Sequence, residues 1–129
     1  MVKQRYIIYE RDDAQSLLSL ASRLLSYSTL DQPASVLFRF AASIWSRPET
    51  TWPELPDWSK TWLNQQEFTS LSAYWWMAVE TAETKLCLCV STSPLRPAGP
   101  AWPDRWQPSS ITGFLADAEE QHAGVEWIL

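Results

Sequence analysis

Few side chains in this sequence have the type and spacing that chemistry requires. His122 is the lone histidine. A general base needs a nucleophile within hydrogen-bond reach and an acid to orient it, and no motif supplies either. Near a helix end, an imidazolium would instead favour the helix dipole. Asp117, Glu119 and Glu120 form the densest carboxylate group. Adjacent helical residues point apart, so Glu119 and Glu120 do not flank a bond as paired carboxylates, and a solvated acidic face is expected. Cys87 and Cys89 are two apart in "KLCLCVSTS". Strand alternation places both on one face as small buried residues, at a separation that disfavours a disulfide. A zinc site there would have to recruit carboxylates, a poor match to the usual ligand sets. The chain has no G-x-S-x-G, no P-loop and no H-E-x-x-H. The expectation is a protein that is not an enzyme, with no metal and no cofactor.

Two segments carry the remaining signal. "TTWPELPDWSKTW" holds Trp52, Trp58 and Trp62 among Pro53, Pro56, Glu54 and Asp57, and "AWPDRWQP" repeats the theme with Trp102, Asp104 and Trp106. Tryptophan offers large contact area with few rotors, which suits a binding hot spot. Proline lowers the ordering cost of a loop, and nearby acids steer a cationic partner. Trp52, Glu54, Asp57, Trp58, Trp102, Asp104 and Trp106 are therefore the candidate partner-binding residues. The competing reading is that these indoles fold back over the core as lids.

Charge distribution supports a basic partner. Residues 1–47 carry six basic and four acidic side chains, and residues 48–129 carry four basic and eleven acidic ones, for an overall charge of −5. The acidic part would repel a phosphate backbone. "AYWWMAVE" supplies aromatics without the interleaved basic residues of an RNA-binding sheet, so nucleic acid is not an expected ligand. The longest apolar run, residues 73–79, is too short to span a membrane, and the N-terminus lacks a signal-peptide core. A cytoplasmic protein is expected.

At 129 residues with 46% apolar side chains, the chain reads as a single globular domain over 1–129. "RYIIYE" predicts a first strand. Asp12 or Asp13 caps a helix whose leucines recur at helical spacing. Residues 33–46 predict a second helix, with "VLFRF" open to a strand reading. Asp57 is the candidate cap of a short helix from Trp58 to about Glu67. "SAYWWMAVE" and "KLCLCVST" predict a hairpin across "TAET", against a competing helix over 68–82. Residues 93–108, with five prolines, predict a loop. Ser109 or Ser110 caps a last helix, and "GVEWIL" closes as a strand. The expected architecture is α+β in the order β-α-α-β-β-α-β. Without the middle insertion this is βαββαβ, a ferredoxin-like sandwich carrying a helical Trp-Pro insertion.

A small, acidic, aromatic-rich domain with "WPELPDW" and "WPDRW" resembles, at the level of class, the immunity proteins with which bacteria neutralise toxins. That resemblance implies an inhibitor that occludes the basic surface of a toxin or nuclease. The alternatives are a structural or adaptor subunit of a larger assembly, and a Trp-lined ligand-binding or enzymatic domain.

Overall fold

Three short apolar runs build the centre of the molecule. A computed structural model describes residues 4–92 and 105–129. In it β1 (Arg5–Tyr9), β2 (Ala34–Phe38) and β3 (Lys85–Cys89) lie side by side, flanked by β5 (Val125–Ile128) beyond β1 and β4 (Gln107–Ser109) beyond β3. The order is β4-β3-β2-β1-β5, and every pairing is parallel. Central strands of a parallel sheet are covered on both faces, so they read as continuous apolar runs rather than alternating ones. Val36, Leu37 and Phe38 are all fully buried.

Parallel strands need crossovers, and the helices supply them. Helix α1 (Ala14–Thr29) joins β1 to β2. Helices α2 (Asp57–Gln65) and α3 (Leu71–Thr81) lie between β2 and β3, after two 3-10 segments at Phe40–Ser46 and Glu49–Thr51. Helix α4 (Ile111–Glu120) leads from β4 to β5 at the opposite edge. Strand alternation separates two cores. Ile7, Tyr9, Val36, Phe38, Leu86 and Leu88 pack with α1 and α3, while Tyr6, Ile8, Leu37, Cys87 and Cys89 pack with Phe114 and Ala118 of α4. The result is a three-layer α/β arrangement.

The mixture of helices and strands is as the sequence implies, but the order and the pairing differ. Among the described residues the sheet is entirely parallel, with none of the antiparallel pairing that a ferredoxin-like sandwich requires. Two segments account for the change. Residues 34–38 form a strand instead of the first turns of a helix, and only the following residues turn, as a 3-10 segment. A strand buried on both faces mimics an apolar helical stripe over five residues. Residues 71–81 form a helix instead of half a hairpin. Ser70 caps it by accepting from the Ala73 N–H at 3.1 Å, and Leu71, Tyr74, Trp75, Ala78 and Val79 turn inward at helical spacing. Burial of that stripe overrides the strand preference of its aromatics. "TAET" is therefore the end of α3 rather than a hairpin turn. Strand β4, within the expected proline loop, is a further departure.

The other boundaries follow their caps. The Asp13 carboxylate accepts from the Ser16 N–H at 3.0 Å to start α1, and Ser110 Oγ accepts from the Gly113 N–H at 3.1 Å to start α4. Cys87 and Cys89 are buried on one face of β3, as alternation implies, and are not joined in a disulfide.

Candidate binding groove

Prolines shape the first Trp-rich segment, and two apolar side chains fasten it to the core. Trp52 packs edge-on against buried Trp45, with centroids 5.1 Å apart, and its indole N–H donates to the Arg47 carbonyl at 3.0 Å. Leu55 is buried three residues later. Glu54 lies exposed between them, 3.3 Å from Lys60 Nζ. Asp57 opens α2, where a carboxylate complements the helix dipole.

Helix α2 then splits its side chains. Ser59 and Leu63 face inward, and Ser59 Oγ donates to Gln15 Oε1 of α1. Trp58 projects outward with 67% of its surface exposed, and Trp62 with 37%. Trp62 is braced edge-on against Tyr74 at 5.6 Å, and the Tyr74 hydroxyl meets Ser22 Oγ at 2.8 Å. Between α1 and α2 runs a groove of 570 Å³ lined by Gln15, Leu18, Ser19, Ser22, Trp58 and Trp62, among others. None of its lining side chains is ionised at neutral pH. A second cleft of 430 Å³ lies against the Trp-Pro loop, bordered by Trp52, Glu54, Lys60 and Asn64. The groove offers ring stacking, apolar burial and neutral hydrogen bonding; Glu54 borders the second cleft, and Asp57 opens α2 just before Trp58. It holds no nucleophile–base pair.

The seven candidate residues therefore divide. Glu54, Asp57 and Trp58 are exposed on one continuous stretch. Trp52 is half-buried and acts as a brace. Trp106 belongs to the core: it is 6% exposed and packs edge-on against Phe38 at 4.7 Å. A buried indole in that position offers no surface to a partner. Trp102 and Asp104 lie outside the described residues. Sequence reasoning missed the contribution of α1. The signal was present in Gln15, Ser19 and Ser22, a polar row at spacings of four and three along one helix face.

The remaining reactive groups are placed elsewhere. Cys89 is fully buried at the carboxyl end of β3. Burial pushes its thiol up, but hydrogen bonds from the side chains and backbone of Ser91 and Thr92 outweigh this and bring it down to about 7. The carboxyl ends of parallel strands are where α/β folds commonly hold ligands. Here Arg39, after β2, pairs with Glu10, after β1, at 2.8 Å, with 15% and 19% of the two side chains exposed. The Arg39 guanidinium also covers the ring of Phe40 at 4.7 Å. His122 follows α4 in left-handed backbone, φ 53°. Among the described residues, no group of three or more His, Cys, Asp or Glu is arranged to hold a metal, and no helix is long and apolar enough to cross a membrane.

Together these features define a parallel α/β domain with an aromatic groove between two helices. No protein-family model matches the chain, and no curated protein matches it.

Proposed function

We propose that this protein is a small protein-binding inhibitor, of the kind bacteria use as immunity proteins in the cytoplasm. It blocks a basic toxin or nuclease by occlusion. One observation carries the reading: Trp58, a large apolar side chain, stands two-thirds exposed at the mouth of an apolar groove, directly after the exposed Asp57 in the chain. A solvated indole with a carboxylate next to it in the chain suits a cationic protein surface. The acids speed encounter, and burial of the indole sets the residence time. The anchors are Trp58 and Trp62, and Glu54 and Asp57 pair with Lys or Arg on the partner. Trp52 holds the loop in place from behind.

The test is coproduction with a basic protein encoded beside its gene, in cells that protein kills. The expected result is survival and a direct complex. Replacing both Trp58 and Trp62 with alanine weakens the complex by about 30-fold or more, the scale of a hot spot, with the far-ultraviolet circular dichroism unchanged. A folded double variant that protects and binds like the parent overturns the reading.

A second reading has its own support. Trp58 faces a groove whose lining includes the amides of Gln15 and Gln65 and the hydroxyls of Ser19 and Ser22. Stacking plus neutral hydrogen bonding is the chemistry that holds a sugar ring. Titration with oligosaccharides, followed by tryptophan fluorescence, decides it: quenching that is absent in Trp58→Ala supports a glycan site, and no response across the set removes it.

A further inference from the structure

The two edges of the sheet are not equivalent. Among the described residues, strand β4 forms one edge as Gln107-Pro108-Ser109. Proline has no N–H to donate, so this edge is a poor template for another strand. Strand β5 forms the other edge: among the described residues no strand pairs with its outer side, and just beyond it the Leu129 carbonyl accepts only a long, exposed bond from Arg11 at 3.4 Å, which a pairing strand would displace. In a parallel pair, each residue turns its N–H and C=O to the same neighbour, alternating along the strand. The Ile128 carbonyl accepts from the Glu10 N–H at 2.9 Å. Ile128 and Glu126 therefore address β1, and the backbone groups of Val125 and Trp127 point away from the sheet.

On the face that α4 covers, the side chains along this edge are apolar. Val125 and Trp127 lie opposite Tyr6 and Ile8, on the face that α4 covers. Trp127 is 48% exposed and Leu129, two residues on, is 68% exposed. The one charge in the strand, Glu126, lies on the opposite face. It is compensated within the chain by Arg23 at 2.7 Å and the Tyr27 hydroxyl at 2.9 Å.

We propose that the outer edge of β5 is a self-association surface, where a second copy of this chain adds its own β5 in antiparallel orientation about a two-fold axis. The pattern is its own complement. With Trp127 on the axis, the two Trp127 residues exchange both backbone hydrogen bonds, and Val125 of each copy faces Leu129 of the other. On the α4 face all three cross-strand positions are then apolar; on the other face Glu126 lies opposite Ile128, and the two Glu126 carboxylates, diagonal across the axis, are each neutralised by Arg23 of their own copy. Pro108 at the far edge stops further addition, so the assembly closes as a dimer instead of growing into a filament. A surface this small falls below the roughly 1,200 Å² of standard stable interfaces, so the dimer is weak and depends on concentration.

Sedimentation velocity on the full chain, from roughly 1 μM to 1 mM to span the weak-affinity range, reads this directly. Monomer converting to dimer is expected. Trp127→Lys places like charges opposite each other and raises the dissociation constant by about tenfold or more. Mixing Trp127→Lys with Trp127→Glu restores a heterodimer. Trp58→Ala leaves the association unchanged, which separates this surface from the α1–α2 groove. For the unaltered chain, hydrogen exchange at the Trp127 amide slows as concentration rises. A monomer throughout the range, a dimer unaffected by Trp127→Lys, or Trp127 exchange independent of concentration overturns the proposal.

Discussion

Tyr6 illustrates how one side chain couples the two ends of the chain. It is buried under α4, and its hydroxyl donates to Asp117 Oδ2 at 2.8 Å. Burial, and then the adjacent carboxylate, push the phenol up to about 12 from an ordinary value of 10.0. The folded state thus favours the protonated phenol. Stability from this group is complete below pH 10, where the unfolded phenol is also protonated, and is lost as pH rises towards 12. Urea unfolding across that interval should show the loss, and Tyr6→Phe should remove this component of the pH dependence. The tryptophans divide just as sharply. Trp106→Ala should cost about 3–5 kcal/mol by opening a cavity against Phe38, and Trp58→Ala should change stability by less than about 0.5 kcal/mol. Denaturant midpoints check both. The sequence marks Trp58 and Trp106 alike, each beside proline and an acid. Only the packing of Phe38 against one of them tells core from surface.

The helices share a device that composition conceals. Each of the four ends in a Schellman motif, with Asp31, Glu67, Glu83 and His122 in left-handed backbone where glycine is usual. The paired bonds are present each time, as in Thr84 N–H to Val79 O and Glu83 N–H to Glu80 O after α3. Left-handed backbone strains a residue that carries Cβ. Exposed Glu83→Gly should therefore raise stability by about 0.5–1 kcal/mol, the relief of strain being partly offset by a freer unfolded chain. A shift in the urea midpoint at constant slope measures it. The missing glycines also explain why "TAET" reads as a turn between strands. The starts of α1 and α4 were legible because Asp13 and Ser110 are strong caps, the Ser70 cap of α3 was hidden by the aromatic run that follows it, and helix stops carried no residue signal. Strands β1, β3 and β5 were legible from their apolar runs. Strand β2 was ambiguous because a doubly buried strand and an apolar helix stripe look alike over five residues.

At the scale of the molecule, the decisive property is non-local pairing. Every strand contact is parallel, and β1 pairs with both β2 and β5, from opposite ends of the chain. Such topologies close long loops before their contacts form, so refolding should take milliseconds to seconds rather than microseconds. Stopped-flow fluorescence after dilution from urea gives the rate, and a microsecond phase accounting for the full signal would contradict this account. Sequence patterning did not reveal the topology because side-chain alternation reports burial and carries no information on strand direction. Charge was legible throughout: the excess of acids after residue 47 follows from the sequence, and Glu54 and Asp57 carry it onto the exposed loop and helix start that lead to Trp58.

The place of β5 next to β1 has a consequence for synthesis. Synthesis runs from the amino terminus, so β1 is made long before the strand that flanks it on one side. Until residues 125–128 emerge, Ile7 and Ile8 lie in a strand whose second neighbour does not yet exist. Over that interval the nascent chain carries an open, apolar central edge, a state suited to capture by chaperones. The sheet is complete only once β5 has emerged, whatever the order in which the helices form.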